Sequence, residues 1–306
     1  MKRDLISIGD LSREEILAIF RLARELKEKR REGKKHELLP GFILAMIFEK
    51  PSLRTRVTFE TGIEELGGHG IYLAPADIQL GKRESVGDVA RNLSRWVHLI
   101  MARTFAHQTI IDLARAATIP VINGLSDEEH PCQVLGDLFT ISEKVGDLGG
   151  TKIAWVGDGN NVCNSLILGT ALLGLELRVA TPEGYEPKAE IIKRAEELGR
   201  PPRLFHDPEP AVVGADFIYT DVWTSMGREE EAEKRRKVFA PFQVNRDLLA
   251  HAPDHCRVMH CLPAHRGEEI TDEVIDSKSS IVLDQAENRL HIQKGLMVWL
   301  SRPSGP

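Results

Sequence analysis

Ser52-Leu53-Arg54-Thr55-Arg56 stands at the junction of two predicted elements of this 306-residue chain. The apolar run Phe42 to Phe48 before it is typical of a buried strand, and Val57 to Leu66 after it is typical of a helix that ends at Gly67-Gly68. Hydroxyl and guanidinium groups therefore meet a helix N-terminus, whose free N–H groups and positive dipole end favour an anion. These donors fit a phosphate, although a helix cap with solvated arginines explains this stretch in isolation equally well.

The composition narrows the class of protein. The chain is long enough for two domains of roughly 150 residues each, and its 42% hydrophobic and 28% charged residues are ordinary for a soluble globular enzyme. No run approaches the ~20 apolar residues of a membrane span, and Met1 to Leu5 lacks the apolar core of a signal peptide. The net charge of −6 disfavours a nucleic-acid-binding surface across the whole protein. We therefore expect a cytoplasmic location and neither a membrane nor a nucleic acid as partner.

Strand-like and helix-like patterns alternate in two series. The strand-like runs of the first series are Phe42–Phe48, Gly70–Leu73, Val97–Ala102 and Pro120–Ile122. After a helix-like segment, Val134–Val145, the second series contains Lys152–Val156, Glu176–Ala180, Phe217–Tyr219, Arg257–His260 and Ile281–Leu283. Two such series predict an α/β fold of two domains, each a parallel sheet flanked by helices. Polar residues that follow the strands are then the candidates for ligand binding.

A metal site is disfavoured. The chain contains four cysteines, at positions 132, 163, 256 and 261. Without a secretion signal they are expected to be buried or catalytic thiols. Potential zinc ligands cluster at His255, Cys256, His260, Cys261 and His265. Their spacing matches no closed tetrahedral pattern, and alternation along a strand would turn neighbouring side chains to opposite faces. We predict no metal.

A dinucleotide cofactor is disfavoured as well. Gly157-Asp158-Gly159-Asn160-Asn161 follows a predicted strand and opens a helix, as a dinucleotide-binding turn does. The third glycine position of that pattern is occupied by Val162, and tight turns use glycine in any case. We predict no cofactor.

Two further segments carry candidate site residues. His130 and Gln133 lie three residues apart at a predicted helix start, with Pro131 at the first helical position, so both side chains lie on one face. Asp221, in Asp221-Val222-Trp223-Thr224-Ser225-Met226-Gly227, is a strand-end carboxylate suited to an ammonium group, and the loop after it could move over a ligand. A histidine cap and an ordinary polar loop also explain these segments when each is taken alone.

Together, motifs in order along the whole chain resemble those of the aspartate/ornithine carbamoyltransferase family. They are Ser52–Arg56, Arg103, His130–Gln133, Asp221–Gly227 and His260-Cys261-Leu262-Pro263. The Ser-Met-Gly loop and the His-Cys-Leu-Pro turn are similar to the ornithine branch. The resemblance implies transfer of the carbamoyl group of carbamoyl phosphate to the δ-amine of L-ornithine, giving L-citrulline and phosphate in arginine metabolism. It also implies a carbamoyl-phosphate-binding domain of residues 1–136 plus 287–306, an ornithine-binding domain of residues 137–286, and helices that join them.

The resemblance implies a role for each site residue. Carbamoyl phosphate is expected to contact Ser52, Leu53, Arg54, Thr55, Gln79, Arg103, His130, Gln133, Cys261, Leu262 and Arg289. L-Ornithine is expected to contact Asn161, Asp221, Ser225 and Met226. The residues expected to be catalytic are Arg54, Arg103, His130 and Cys261. Family members have a cis peptide bond before the proline of the His-Cys-Leu-Pro turn, which is expected here between Leu262 and Pro263.

Assembly is also implied by the resemblance. The segment Asp77 to Ser85 is similar to a loop that enters the neighbouring subunit's site, where Gln79 would contact phosphate, so a homotrimer or a multiple of trimers is expected. Lys82 and Leu53 depart from the ornithine branch; the side chain of Leu53 is not expected to be a ligand.

Other functions are left open by the sequence. The nearest alternative is a carbamoyltransferase acting on another amine, such as putrescine or aspartate, and Asp221 with Ser225-Met226 is the feature that discriminates between them. A nicotinamide-dependent oxidoreductase would rest on Gly157 and Gly159 alone. A non-enzymatic binding module would require the site residues to be inert.

Overall fold

The computed structural model describes residues 2–224 and 229–302. The chain divides into two compact units, of which the first comprises residues 1–139 and 287–306 and the second residues 140–286. Within the described residues, no helix has both the length and the apolar character needed to cross a membrane.

The first unit contains a parallel sheet of four strands in the order β2-β1-β3-β4. The strands are β1 (Ile43–Phe48), β2 (His69–Leu73), β3 (Leu99–Arg103) and β4 (Val121–Leu125). The helices are α1 (Arg13–Arg31), α2 (Leu53–Glu65), α3 (Pro75–Ile78), α4 (Val86–Trp96), α5 (His107–Ala116) and α6 (Pro131–Val145). A short 3₁₀ helix, Ile8–Asp10, precedes them. Because β1 is flanked by strands and helices, its side chains are almost all buried, as its continuous apolar run predicts.

The helix after β1 begins one turn earlier than predicted. It starts at Leu53 rather than Val57 because Ser52 caps it: the Ser52 Oγ accepts a hydrogen bond from the Thr55 N–H at 3.2 Å. A serine also caps the start of α1, where Ser12 and Glu15 form a reciprocal capping box. The early start of α2 places Arg54 and Thr55 in its first turn.

The second unit contains a parallel sheet of five strands in the order β7-β6-β5-β8-β9. They are β5 (Lys152–Val156), β6 (Glu176–Ala180), β7 (Arg203–Phe205), β8 (Phe217–Thr220) and β9 (Arg257–His260). The helices are α7 (Asn161–Leu173), α8 (Ala189–Leu198), α9 (Pro208–Val212), α10 (Ala232–Phe239), α11 (Arg246–Ala250) and α12 (Asp272–Ile275). The last helix, α13 (Val282–Ser301), starts in this unit, and its residues from Glu287 onward belong to the first unit. Two 3₁₀ helices are Glu229–Glu231 and Ala240–Phe242. The division between the units falls within α6 and within α13. Two parallel sheets flanked by helices confirm the predicted fold class.

The predicted strand Ile281–Leu283 is wrong. Among the described residues, one isolated bridge, between Val258 and Ser280, joins this region to the sheet, and α13 begins at Val282. A short apolar run cannot distinguish a strand from a helix start. Leu283 is 76% exposed, as one face of a helix allows but a central strand does not.

Candidate active site

The N-terminus of α2 provides the predicted anion site of the first unit. Thr55 is buried in the first turn, Ser52 caps the helix, and Leu53 is 76% exposed. The structure confirms that Ser52 is a helix cap, and the capped end still presents its first N–H groups and the hydroxyl of Thr55, so anion binding there stays a prediction. Leu53 contributes backbone only, since its side chain points into solvent.

Arg289 joins this helix end to Gln133. The Arg289 guanidinium is buried, donates through Nη1 to the Gln133 Oε1, and donates through Nη2 to the Thr55 Oγ1 at 3.3 Å. The Gln133 Nε2 donates to the Asp137 Oδ1 at 2.8 Å, which orients the amide so that its oxygen faces Arg289. Residues from α2, α6 and α13, which are distant in sequence, therefore form one polar cluster in the first unit.

Arg103 and His130 belong to the same electrostatic environment. Arg103 is the last residue of β3 and His130 immediately precedes α6; both are buried. Burial holds the pKa of His130 well below 6.5, and Arg289, Arg103 and Arg54 lower it further. The site thus combines three guanidiniums with a neutral imidazole, which can donate one hydrogen bond without contributing a charge.

We expect His130 to stay mostly neutral at pH 6.5, where a free histidine is half protonated, because protonation would add a cation to a buried cluster of cations. In a carbon-edited NMR titration, the His130 Cε1–H resonance, assigned with His130→Asn, should still be at its neutral-imidazole position at pH 6.5. A titration midpoint at or above 6.5 would contradict this electrostatic assignment.

Gln79 belongs to another segment of the first unit, the loop that follows α3. It is exposed, follows α3, and adopts left-handed backbone angles, with φ 45° and ψ 54°. Its carbonyl accepts from the Lys82 N–H at 2.8 Å and the Arg83 N–H at 3.0 Å, which folds the loop back on itself. Its predicted contact with phosphate stays a prediction.

In the second unit, Asp221 is the centre of the predicted amino-acid site. It follows β8, is buried, and accepts from the Cys261 Sγ at 2.8 Å and from the Asn160 Nδ2 at 2.7 Å. Asn160 caps α7 by accepting from the N–H groups of Val162 and Cys163, so Asn161 is the first residue of that helix. Because β5, β8 and β9 are adjacent, parallel strand ends bring these groups together.

The structure bears on the predicted residues of the second unit to different degrees. Ser225 and Met226 lie outside the described residues. Asn160 was considered only as part of the segment Gly157 to Asn161 and was not assigned to the ornithine site, although an asparagine after a strand and before a helix is a typical cap signal. The Leu262–Pro263 peptide bond is cis, as expected.

Arg235 anchors the segment after β8 and was also missed. Its guanidinium is fully buried, forms an ion pair with Asp158 at 2.5 Å, and donates through Nε to the Trp223 carbonyl at 2.5 Å. Its planar face lies over the rings of Tyr185 and Phe239, at 4.8 and 5.0 Å from their centres. A single arginine therefore links the turn after β5 to the segment after β8.

The glycines of the turn after β5 have a packing explanation. A Cβ on Gly159 would lie 2.4 Å from the Pro187 nitrogen, and Gly157 has φ 142°. The close approach of the neighbouring backbone requires Gly159, and the turn conformation favours glycine at position 157. Backbone packing and turn conformation therefore explain these two glycines without a bound phosphate.

The cysteines and histidines of the predicted cluster have separate partners. His255 faces Asp216 at 2.9 Å, and His260 faces Glu269 at 3.0 Å. Two sets of described residues bring potential metal-binding atoms within 4.8 Å of one another: Asp221, His260 and Cys261, and His265, Glu268 and Glu269. In the first set, Cys261 donates to Asp221, and both ring nitrogens of His260 have hydrogen-bond partners.

Three of the four thiols are buried and the fourth, Cys261, is partly exposed; all four are free. Burial raises the pKa of Cys132 and of Cys256 to about 12, so both remain protonated at neutral pH. Cys261 donates a hydrogen bond to the carboxylate of Asp221.

Each of the two α/β units carries a polar cluster, a basic one in the first unit and one centred on the carboxylate of Asp221 in the second. Residues 3–143 match the family model described as aspartate/ornithine carbamoyltransferase, carbamoyl-P binding domain. Residues 149–300 match the model described as aspartate/ornithine carbamoyltransferase, Asp/Orn binding domain. The chain belongs to the aspartate/ornithine carbamoyltransferase family, which confirms the resemblance predicted from its motifs.

Similar proteins include several ornithine carbamoyltransferases. That of Archaeoglobus fulgidus is 55% identical over 97% of this chain and 97% of its own length. The structure of ornithine carbamoyltransferase from Pyrococcus furiosus superposes with a TM-score of 0.94 at 55% identity, covering 97% of this chain and 96% of that chain. The structure of anabolic ornithine carbamoyltransferase from Campylobacter jejuni gives a TM-score of 0.93 at 39% identity, covering 98% and 99%.

Proposed function

We propose that this protein transfers the carbamoyl group of carbamoyl phosphate to the δ-amine of L-ornithine, giving L-citrulline and phosphate. The observation that carries the proposal is the cluster of Thr55, Gln133 and Arg289, with the guanidiniums that surround a neutral His130. It offers donors for a phosphate and a carbonyl oxygen together with one amide oxygen that can accept. The similar ornithine carbamoyltransferases support ornithine as the acceptor.

The first unit acts on carbamoyl phosphate. Ser52, Arg54 and Thr55, with the first N–H groups of α2, hold the phosphate and stabilise it as it leaves. Arg103 and the neutral His130 donate to the carbamoyl oxygen, where negative charge develops as the amine attacks. The Gln133 Oε1 accepts from the carbamoyl amino group. The arrangement polarises the carbonyl while selecting a group that carries N–H donors.

The second unit acts on ornithine. Asp221 pairs with the α-ammonium group, and Asn161, Ser225 and Met226 bind the rest of the amino-acid end. The carbonyls of Cys261 and Leu262 accept from the carbamoyl amino group. The δ-amine, with a reference pKa of about 10, must lose a proton before its nitrogen attacks the carbamoyl carbon. The C–O bond to phosphate then breaks, and the electron pair leaves with the phosphate.

Assembly and location complete the proposal. The protein acts in the cytoplasm as a homotrimer or a multiple of trimers. Exposed Gln79 of one protomer contacts the phosphate bound by its neighbour, and the turn that holds Gln79 in left-handed backbone angles presents it outward.

One assay tests the proposed function. The protein is incubated with carbamoyl phosphate and either ornithine, aspartate or putrescine, and both phosphate release and the ureido product are measured. We expect citrulline from ornithine and little product from the other amines. Preference for putrescine, which has no α-carboxylate, would contradict the ornithine assignment. Preference for aspartate would assign the chain to the other branch of the family.

Asp221→Asn is expected to raise the KM for ornithine about 30-fold, because a charge-assisted contact to the α-ammonium is lost. The KM for carbamoyl phosphate should change little, since its phosphate is bound by the first unit. Exposed Asp254, changed to Asn, removes the same charge and serves as the control. Steady-state kinetics with each substrate varied in turn measures both constants. An unchanged KM for ornithine in Asp221→Asn would remove Asp221 from the site.

A further inference from the structure

A buried histidine–glutamate pair lies directly behind the turn Cys261–Ala264. His260 is the last residue of β9, and Glu269 lies nine positions later; both side chains are fully buried. The His260 Nε2 lies 3.0 Å from the Glu269 Oε1. The other ring nitrogen, Nδ1, lies 2.8 Å from the backbone nitrogen of Leu262. One imidazole thus connects a buried carboxylate to the backbone of the turn.

The hydrogen bonds assign the tautomer of His260. A backbone N–H can only donate, so the His260 Nδ1 must accept from Leu262 and carry no proton. The proton of the neutral ring is therefore on Nε2, where it is donated to Glu269. Glu269 thereby keeps Nδ1 available as the acceptor for the Leu262 N–H.

The same carboxylate holds the far side of the turn. The Glu269 Oε1 also accepts from the His265 N–H at 2.6 Å, and the Gln285 Oε1 accepts from the His260 N–H at 3.0 Å. Between these anchors, Leu262 has φ 58°, a left-handed conformation that is unfavourable for leucine. A hydrogen bond from the N–H of Leu262 itself helps to offset that cost, and it also sets where the adjacent carbonyls point.

We propose that His260 and Glu269 are positioning residues that aim the carbonyls of Cys261 and Leu262 at the carbamoyl amino group. The inference rests on the proposed function, in which these carbonyls accept from that group. They distinguish carbamoyl phosphate from acetyl phosphate, which has a methyl group in place of the amino group. Loss of the pair therefore weakens recognition of the carbamoyl end and leaves recognition of the phosphate end unchanged.

Two substitutions of His260 separate the two hydrogen bonds of its ring. In His260→Asn, the amide oxygen can stand two bonds from Cβ, as Nδ1 does, and can accept from the Leu262 N–H. In His260→Gln, the amide nitrogen can stand three bonds from Cβ, as Nε2 does, and can reach Glu269, but no acceptor remains for Leu262. Glu269→Asp, whose shorter carboxylate cannot hold both His260 and His265, provides an independent test if His260→Gln does not fold.

The experiment compares the KM and kcat/KM for carbamoyl phosphate with the inhibition constant of acetyl phosphate, at saturating ornithine. The KM and the inhibition constant do not depend on how much of the sample is folded. We expect His260→Gln to raise the KM for carbamoyl phosphate about tenfold and to lower kcat/KM by about the same factor. The inhibition constant of acetyl phosphate should stay unchanged within about twofold. Glu269→Asp should shift in the same direction, and His260→Asn should stay within about threefold of the wild type.

The remaining outcomes of this experiment overturn either the inference or the proposed function. If the KM for carbamoyl phosphate and the inhibition constant of acetyl phosphate are both unchanged in His260→Gln, or both rise by the same factor, the pair has only a structural role. Either result overturns the inference. Equal losses in His260→Asn and His260→Gln would also overturn it. If the wild type forms no citrulline, the proposed function fails and the inference fails with it. Citrulline formation with unchanged selectivity in the variants overturns the inference alone.

Discussion

Arg54→Ala is expected to lower kcat/KM for carbamoyl phosphate about 10³-fold, or about 4 kcal/mol of transition-state stabilisation. Arg54 stands in the first turn of α2, behind the Ser52 cap, and its charge contributes to the field that lowers the pKa of His130. Removing it takes away a charged donor at the point where the leaving phosphate gains charge. The helix N–H groups and the hydroxyl of Thr55 remain, so we expect residual activity.

Arg56→Ala is the matched control for this prediction. Arg56 lies two residues further along the same helix, is exposed, pairs with Glu60 at 3.3 Å and covers the ring of Tyr72. It is not an expected ligand, so steady-state kinetics should show a much smaller loss. Near-normal kcat/KM in Arg54→Ala, or equal losses in both variants, would show that Arg54 does not bind the phosphate.

Arg235→Ala is expected to lower the free energy of unfolding by about 3–5 kcal/mol, because it leaves the carboxylate of Asp158 buried without its cation. It also removes the donor to the Trp223 carbonyl and the packing against Tyr185 and Phe239. Chemical denaturation followed by circular dichroism measures the change.

Lys237→Ala provides the control on the same helix. Lys237 forms an exposed pair with Glu233, so its loss should change the free energy of unfolding by less than about 0.5 kcal/mol. A loss below about 1 kcal/mol in Arg235→Ala would mean that water replaces the arginine at little cost. That result would contradict the role of Arg235 as the anchor of this segment.

The fold class followed from alternation of apolar runs and helical periodicity, because parallel strands buried on both faces are continuously apolar. The sequence patterns did not predict the short strand β7, and the predicted strand Ile281–Leu283 was wrong because three apolar residues suit a strand or the first turn of a helix. Only the twenty residues of α13, with exposed Leu283 on one face, separate the two possibilities.

The candidate site was predictable where it rests on motifs, and unpredictable where it rests on partners distant in the chain. Asp221 and Cys261 stand in recognisable segments, yet their hydrogen bond joins residues 40 positions apart. Asn160 was considered only in the turn that resembles a dinucleotide-binding motif, and Arg235 and Glu269 belong to no motif that was singled out for binding. Each acts by orienting another group: Asn160 holds Asp221, Arg235 holds the segment after β8, and Glu269 holds His260.

The stretch Ser52 to Arg56 illustrates both what the sequence predicts and what the tertiary structure decides. Its residues alone determine a helix start, because the Ser52 side chain accepts a hydrogen bond from the N–H of Thr55, three residues later; they also predict that this end suits an anion. Local hydrogen bonds and periodicity depend only on neighbours in the chain, so they can be predicted from it. Tertiary structure decided that Arg289, 234 positions beyond Thr55, shares that site and meets Gln133 there. Such contacts depend on how helices pack in three dimensions, where side chains far apart in sequence become neighbours.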